Sequence, residues 1–103
     1  MKSKKIARLA RAVGHPVRVG VLQLLGRGPA LVRDLGEDLE VTPTVLSKHL
    51  AILRDAGLVE CDAEWRCRRY RLVHPAEVEA LLAALEGAAF ALGGVTAETG
   101  EFA

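Results

Sequence analysis

The segment VTPTVLSKHLAILRDAGLVE constrains this chain more than any other stretch of its 103 residues. Thr42 before Pro43 pairs a side chain able to cap a helix with a proline suited to its first turn, and Gly57 is a natural stop. The spacing therefore predicts a helix over PTVLSKHLAILRDAG, although no Glu or Gln stands three residues after Thr42 to complete a capping box. Val45, Leu46, Leu50 and Leu53 are expected on its core side. Thr44, Ser47, Lys48 and Ala51 fall at helical spacing on the other. That outer face is short, carries hydrogen-bond donors and ends in a small residue. His49 lies between the two faces, where it either packs as a core histidine or donates to a partner.

The flanking segments complete the pattern. Ile6, Leu9, Ala10 and Val13 repeat at helical spacing until Gly14-His15-Pro16 stops them. Pro16 opens a second helix, PVRVGVLQLL, closed at Gly26. A short third helix fits ALVRDLGEDL, loosened by Gly36. After the segment, LVECD and RCRRYRLV read as two strands joined around Ala63-Glu64-Trp65, with no Asn-Gly or Asp-Gly pair to define the turn. Tyr70 and Leu72 share the face expected to anchor this hairpin, and Arg68 has the same parity. Pro75 opens a last helix, PAEVEALLAALEGAAFAL, ended by Gly93-Gly94; residues 94–103 are expected to be a frayed tail. The fold class is mainly α with a small β-hairpin, ordered helix-helix-helix-helix-hairpin-helix. A short helix, a tight turn, a two-faced helix and a basic hairpin make a winged helix-turn-helix, here one domain over 1–103.

Charge placement supports this more than net charge, which is only +1. Lys2, Lys4, Lys5, Arg8, Arg11 and Arg18 precede any acidic residue, and Arg66, Arg68, Arg69 and Arg71 cluster in the hairpin. Beyond Arg71 every formal charge is acidic. Nucleic-acid binding depends on where positive charge sits, so the near-neutral total excludes nothing. Thr44, Ser47, Lys48 and His49 are the candidates for base edges and phosphates in a major groove, and Arg66, nearest the hairpin tip, for a neighbouring groove. The competing reading is a winged-helix protein-interaction module that does not bind DNA. Basic residues on the outer face and hairpin favour the DNA reading. An enzyme fits least, since no nucleophile–base pair, phosphate-binding glycine loop or HExxH motif is present.

The first and last helices, 1–14 and 75–93, carry more apolar surface than one small chain can cover. A symmetric homodimer pairing them would bury it and set two recognition helices on a palindromic operator. No apolar run approaches the roughly 20 residues of a membrane span, and the basic start lacks a secretory signal, so a cytoplasmic location is expected.

LARAVGHPVRVGVLQLL, VTPTVLSKHLAILRDAGLVE and RRYRLVHP together resemble the ArsR/SmtB family of winged-helix repressors over roughly residues 6–92. The resemblance implies a homodimeric DNA-binding repressor that leaves its operator when an inducer, often a metal or metalloid, binds. It assigns Thr44, Ser47, Lys48 and His49 to the recognition helix and Arg66 to the wing. It supplies no sensor. Where metalloid-sensing members carry Cys-Val-Cys-Asp-Leu, this chain reads Leu31-Val32-Arg33-Asp34-Leu35. In the last helix Glu77 and Glu79 are present, but alanine and phenylalanine replace the later zinc ligands. Trp65 also stands where a wing glycine is usual.

Both cysteines, Cys61 and Cys67, flank the hairpin turn. A register pairing residue 62 with 66 would set them face to face across the strands. Three readings stand: incidental strand residues, a thiol switch, or ligands for a soft metal or metalloid. Arg66 and Arg68 beside Cys67 favour its thiolate, the reactive and ligating form. Two thiolates alone do not close a tetrahedral zinc site, so no metal site or cofactor is assigned.

Overall fold

The computed structural model describes residues 2–62 and 68–93. The described elements run α1 (Lys2–Ala12), α2 (Pro16–Leu25), β1 (Ala30–Leu31), α3 (Val32–Leu39), α4 (Pro43–Asp55), β2 (Val59–Cys61), β3 (Arg69–Leu72) and α5 (Pro75–Leu92). The five expected helices are all present. Arg66, Cys67 and the 94–103 tail lie outside the described residues.

Local chemistry sets the helix ends. His15 is extended at φ −150° and accepts from the Val17 amide at 3.1 Å through Nδ1, so it caps α2 ahead of Pro16. Thr42 Oγ1 does the same for α4, accepting from the Val45 amide at 3.3 Å. The ends of α3 and α4 share one closing geometry. After α4, Gly57 takes φ +80°, Gly57 N–H donates to Arg54 C=O and Leu58 N–H to Leu53 C=O, both at 3.0 Å. After α3, Glu40 takes φ +57°, its N–H donates to Glu37 C=O at 3.3 Å, and Val41 N–H donates to Gly36 C=O at 2.9 Å. The glycine thus stands inside α3 and a glutamate occupies the left-handed position.

The sheet corrects the sequence reading in two ways. It has three strands, not two, in the order β1-β3-β2, all antiparallel neighbours. Ala30 pairs with Tyr70 and Leu31 with Arg69, so the first residues assigned to the third helix are strand, and α3 starts only at Val32. The central strand needed a partner for its second edge, and these two residues supply it. Val32 N–H extends the pairing by donating to Arg68 C=O at 2.8 Å. The hairpin register also differs: Val59 pairs with Leu72, Glu60 with Arg71 and Cys61 with Tyr70. Tyr70 stands opposite Cys61, in keeping with the alternating burial of Tyr70 and Leu72.

One apolar core joins these parts. Val21, Leu22 and Leu25 of α2 meet Leu35 of α3, Leu46, Leu50 and Leu53 of α4, and Val59, Tyr70 and Leu72 of the sheet. Ala12 and Val78 close it from α1 and α5. The expected inner face of α4 holds for its three leucines. Val45 does not join them: it is 45 % exposed. The anchoring roles of Tyr70 and Leu72 hold as well, whereas Arg68 is exposed despite sharing their parity.

Candidate nucleic-acid interface

With Leu46, Leu50 and Leu53 buried, α4 turns Thr44, Ser47, Lys48 and Ala51 to solvent. Val45 stands on that exposed side too, a candidate the sequence pattern had placed inward. Its branched apolar side chain, on the flank of the face beside Lys48, is of the kind that suits a thymine methyl group. The exposure of a β-branched residue at the start of the helix was legible only as a deviation from strict spacing. The face therefore combines two hydroxyls, an ammonium and an apolar methyl pair on one turn-and-a-half of helix.

His49 is half-buried beside this face, and its environment was not legible in the sequence. Its Nδ1 lies 3.0 Å from Nη1 of Arg18, and its ring centroid 4.3 Å from that of His15 at a tilt of 46°. Burial lowers its pKa below the ordinary 6.5, and the nearby His15 and Arg18 lower it further. Arg18, grouped by sequence with a basic amino-terminal surface, is instead buried at 8 % exposure. Its guanidinium donates from Nε to Ala12 C=O at 2.8 Å and from Nη2 to Arg11 C=O at 3.0 Å. The GHPVR and SKH segments that place these side chains are visible in the sequence; their convergence is not.

The wing is less positive than its arginine count suggests. Arg69 pairs with Asp62 at 3.0 Å, and Arg71 pairs with Glu60 across the strands. Both pairs are exposed, so they hold the strands only weakly, but they neutralise two of the four hairpin arginines. Arg68 is exposed at the head of β3. Cys61 is a half-cystine, not a free thiol. Among the described residues, no three His, Cys, Asp or Glu side chains come together to hold a metal ion. No described helix is long and apolar enough to cross a membrane.

Comparison with known proteins agrees with this architecture. Residues 15–60 match the model of the bacterial regulatory protein arsR family, a span from the cap of α2 to β2. An HTH-type transcriptional regulator from Methanocaldococcus jannaschii is 31 % identical over 77 residues, covering 75 % of this chain and 81 % of that one. The biofilm growth-associated repressor of Agrobacterium fabrum is 31 % identical over 71 residues, 69 % of this chain; the match spans 61 % of that repressor's length. Among solved structures, a homodimeric winged helix-turn-helix DNA-binding domain from Mycobacterium bovis superposes with a TM-score of 0.73 at 28 % identity, covering 84 % of this chain and 79 % of that one. Sequence, element order and three-dimensional likeness converge, and this chain belongs to the arsR family of bacterial regulatory proteins.

Proposed function

We propose that the chain is a homodimeric transcriptional repressor of the cytoplasm that binds a palindromic operator through α4. The carrying observation is the two-sided α4, with three buried leucines behind an exposed face of Thr44, Val45, Ser47 and Lys48. Lys48 supplies phosphate attraction, while Thr44 and Ser47 reach base edges or phosphates and Val45 adds apolar contact. His49 donates at the edge of the same face, and Arg66 serves the wing. The repressor named among the relatives supports the direction of control.

Dimerisation through 1–14 and 75–93 is supported by large apolar side chains left open in one copy. Ile6 of α1 is 66 % exposed, and Phe90 and Leu92 of α5 are 80 % and 86 % exposed. A second copy covers such a stripe and sets the spacing between two α4 helices. The test is fluorescence anisotropy on DNA from the region upstream of the chain's own gene. Expected is one dimer per site with affinity falling steeply as salt rises. Salt-independent or absent binding would overturn the proposal.

Release from DNA is assigned to the thiol–disulfide couple of the two wing cysteines, because β2 carries Cys61, a half-cystine in this structure, beside the strand that ties the wing to the core. A two-electron oxidant such as a peroxide takes two electrons and two protons from the thiols, leaving one S–S bond; a soft metal would instead bind both thiolates. Operator affinity should fall on oxidation or with a thiophilic metal, and a Cys61→Ser, Cys67→Ser protein should not respond. A double variant that responds like wild type would refute this.

A further inference from the structure

Arg18 is the one buried charged residue of the described core, and among the described residues no carboxylate is hydrogen-bonded to it. Two of its three side-chain hydrogen bonds go to the last carbonyls of α1, Ala12 C=O and Arg11 C=O, the second of which also accepts from Gly14 N–H at 3.1 Å; these carbonyls carry the helix's negative dipole end. The third goes to His49 on α4. A guanidinium only donates, so Nδ1 of His49 must accept, and the ring proton must sit on Nε2. His15 obeys the same logic, since its Nδ1 accepts from the Val17 amide. The two rings lie against each other, which limits rotation of His49. Among the described residues, Nε2 of His49 has no hydrogen-bond partner.

We infer that Arg18 is a positioning residue for DNA binding: it holds His49 as a fixed Nε2–H donor beside the exposed face of α4 and ties that helix to the end of α1. The inference rests on the DNA-binding role of α4 proposed above. Three elements meet at one guanidinium, so the donor's direction is set by the fold and not by the ring's own torsion. A phosphate oxygen, or N7 or O6 of guanine, is the chemistry that such a donor meets. Arg18 itself stays buried and touches no DNA.

The test joins a spectroscopic readout to a double-mutant cycle, using the full chain and upstream DNA. Imidazole ¹⁵N NMR of the free protein near neutral pH should show His49 with unprotonated Nδ1 and protonated Nε2, and Arg18→Met should blur that preference. In the binding assay, Arg18→Met should weaken the complex about tenfold, the worth of one well-made hydrogen bond to an ionic partner. His49→Asn keeps an acceptor for Arg18 but loses the outward donor, and should weaken binding comparably. His49→Gln keeps a donor near the Nε2 position and should retain most affinity. Adding Arg18→Met to His49→Asn should cost less than about twofold more, because the pathway is already cut. Losses that multiply to about a hundredfold overturn the inference, as does an Nδ1–H tautomer in the wild type, which needs no variant to fold. Wild-type affinity in His49→Asn overturns the Arg18 role alone. A wild-type protein that binds none of the DNA overturns the reading on which both rest.

Discussion

Replacing Glu40 by glycine should stabilise the protein. Glu40 closes α3 at φ +57° and ψ +47°, the left-handed region where a Cβ meets the following carbonyl. The same closing bonds after α4 are made around Gly57, so the fold already contains the residue this geometry favours. Relief of the left-handed conformation contributes about 1–2 kcal/mol. The greater freedom of glycine in the unfolded chain offsets about 0.4–1 kcal/mol of that. A net gain of about 0.5–1 kcal/mol follows, or a Tm rise of roughly 3–6 °C for a domain of this size. The side chain is exposed, and among the described residues its carboxylate has no ion pair or hydrogen bond to enter the difference. Thermal unfolding should be compared at one fixed protomer concentration, because the proposed dimerisation would make Tm concentration-dependent. Glu40→Ala is the control: it removes the carboxylate but keeps the Cβ, and should show none of the gain. If alanine stabilises as much as glycine, charge and not backbone geometry is responsible, and the conformational reasoning fails.

Other outcomes follow from the same structure. Leu46→Ala, at a site with no exposure, should cost about 2–5 kcal/mol in denaturant unfolding, whereas Val45→Ala one residue earlier should cost under about 1 kcal/mol. Lys48→Ala should weaken binding on every DNA sequence and lower the slope of log K against log salt by about 0.9, read by anisotropy titrations at several salt concentrations. His49 binds a proton less readily folded than unfolded, so stability should fall as pH drops below its ordinary pKa of 6.5; His49→Gln should flatten that dependence in denaturation at pH values either side of it. Glu60→Gln should change stability by less than about 0.5 kcal/mol while releasing Arg71 to strengthen binding at low salt.

The parts legible in the sequence are those fixed by short-range chemistry. Pro16 and Pro43 mark helix starts, Gly57 marks a stop, and the leucine spacing of α4 gives its inner face. What escaped depends on partners distant along the chain. Ala30 and Leu31 have no strand pattern of their own and become strand only because β3 offers an edge. The wing register is not fixed by the sequence, because the turn carries no signature; burial of Tyr70 and Leu72 goes with the register observed. Arg18 looked like one more surface cation, since nothing local announces that two backbone carbonyls and a histidine from another helix surround it. The pairing of Arg69 and Arg71 with Asp62 and Glu60 was likewise hidden until the register was known.

The two-residue strand β1 runs straight into α3, with Leu31 paired to Arg69 and Val32 N–H bonded to Arg68 C=O at 2.8 Å. The base of the wing and the first helix of the helix-turn-helix therefore move as one body. On the proposed DNA-binding role, each protomer acts as a ruler of set length: the distance from α4 to the base of the wing is built into the fold. In the proposed dimer only the gap between two such rulers would change, since that gap would be set where α1 and α5 meet their copies. An inducer acting at the dimer seam would alter operator spacing without altering what each half reads.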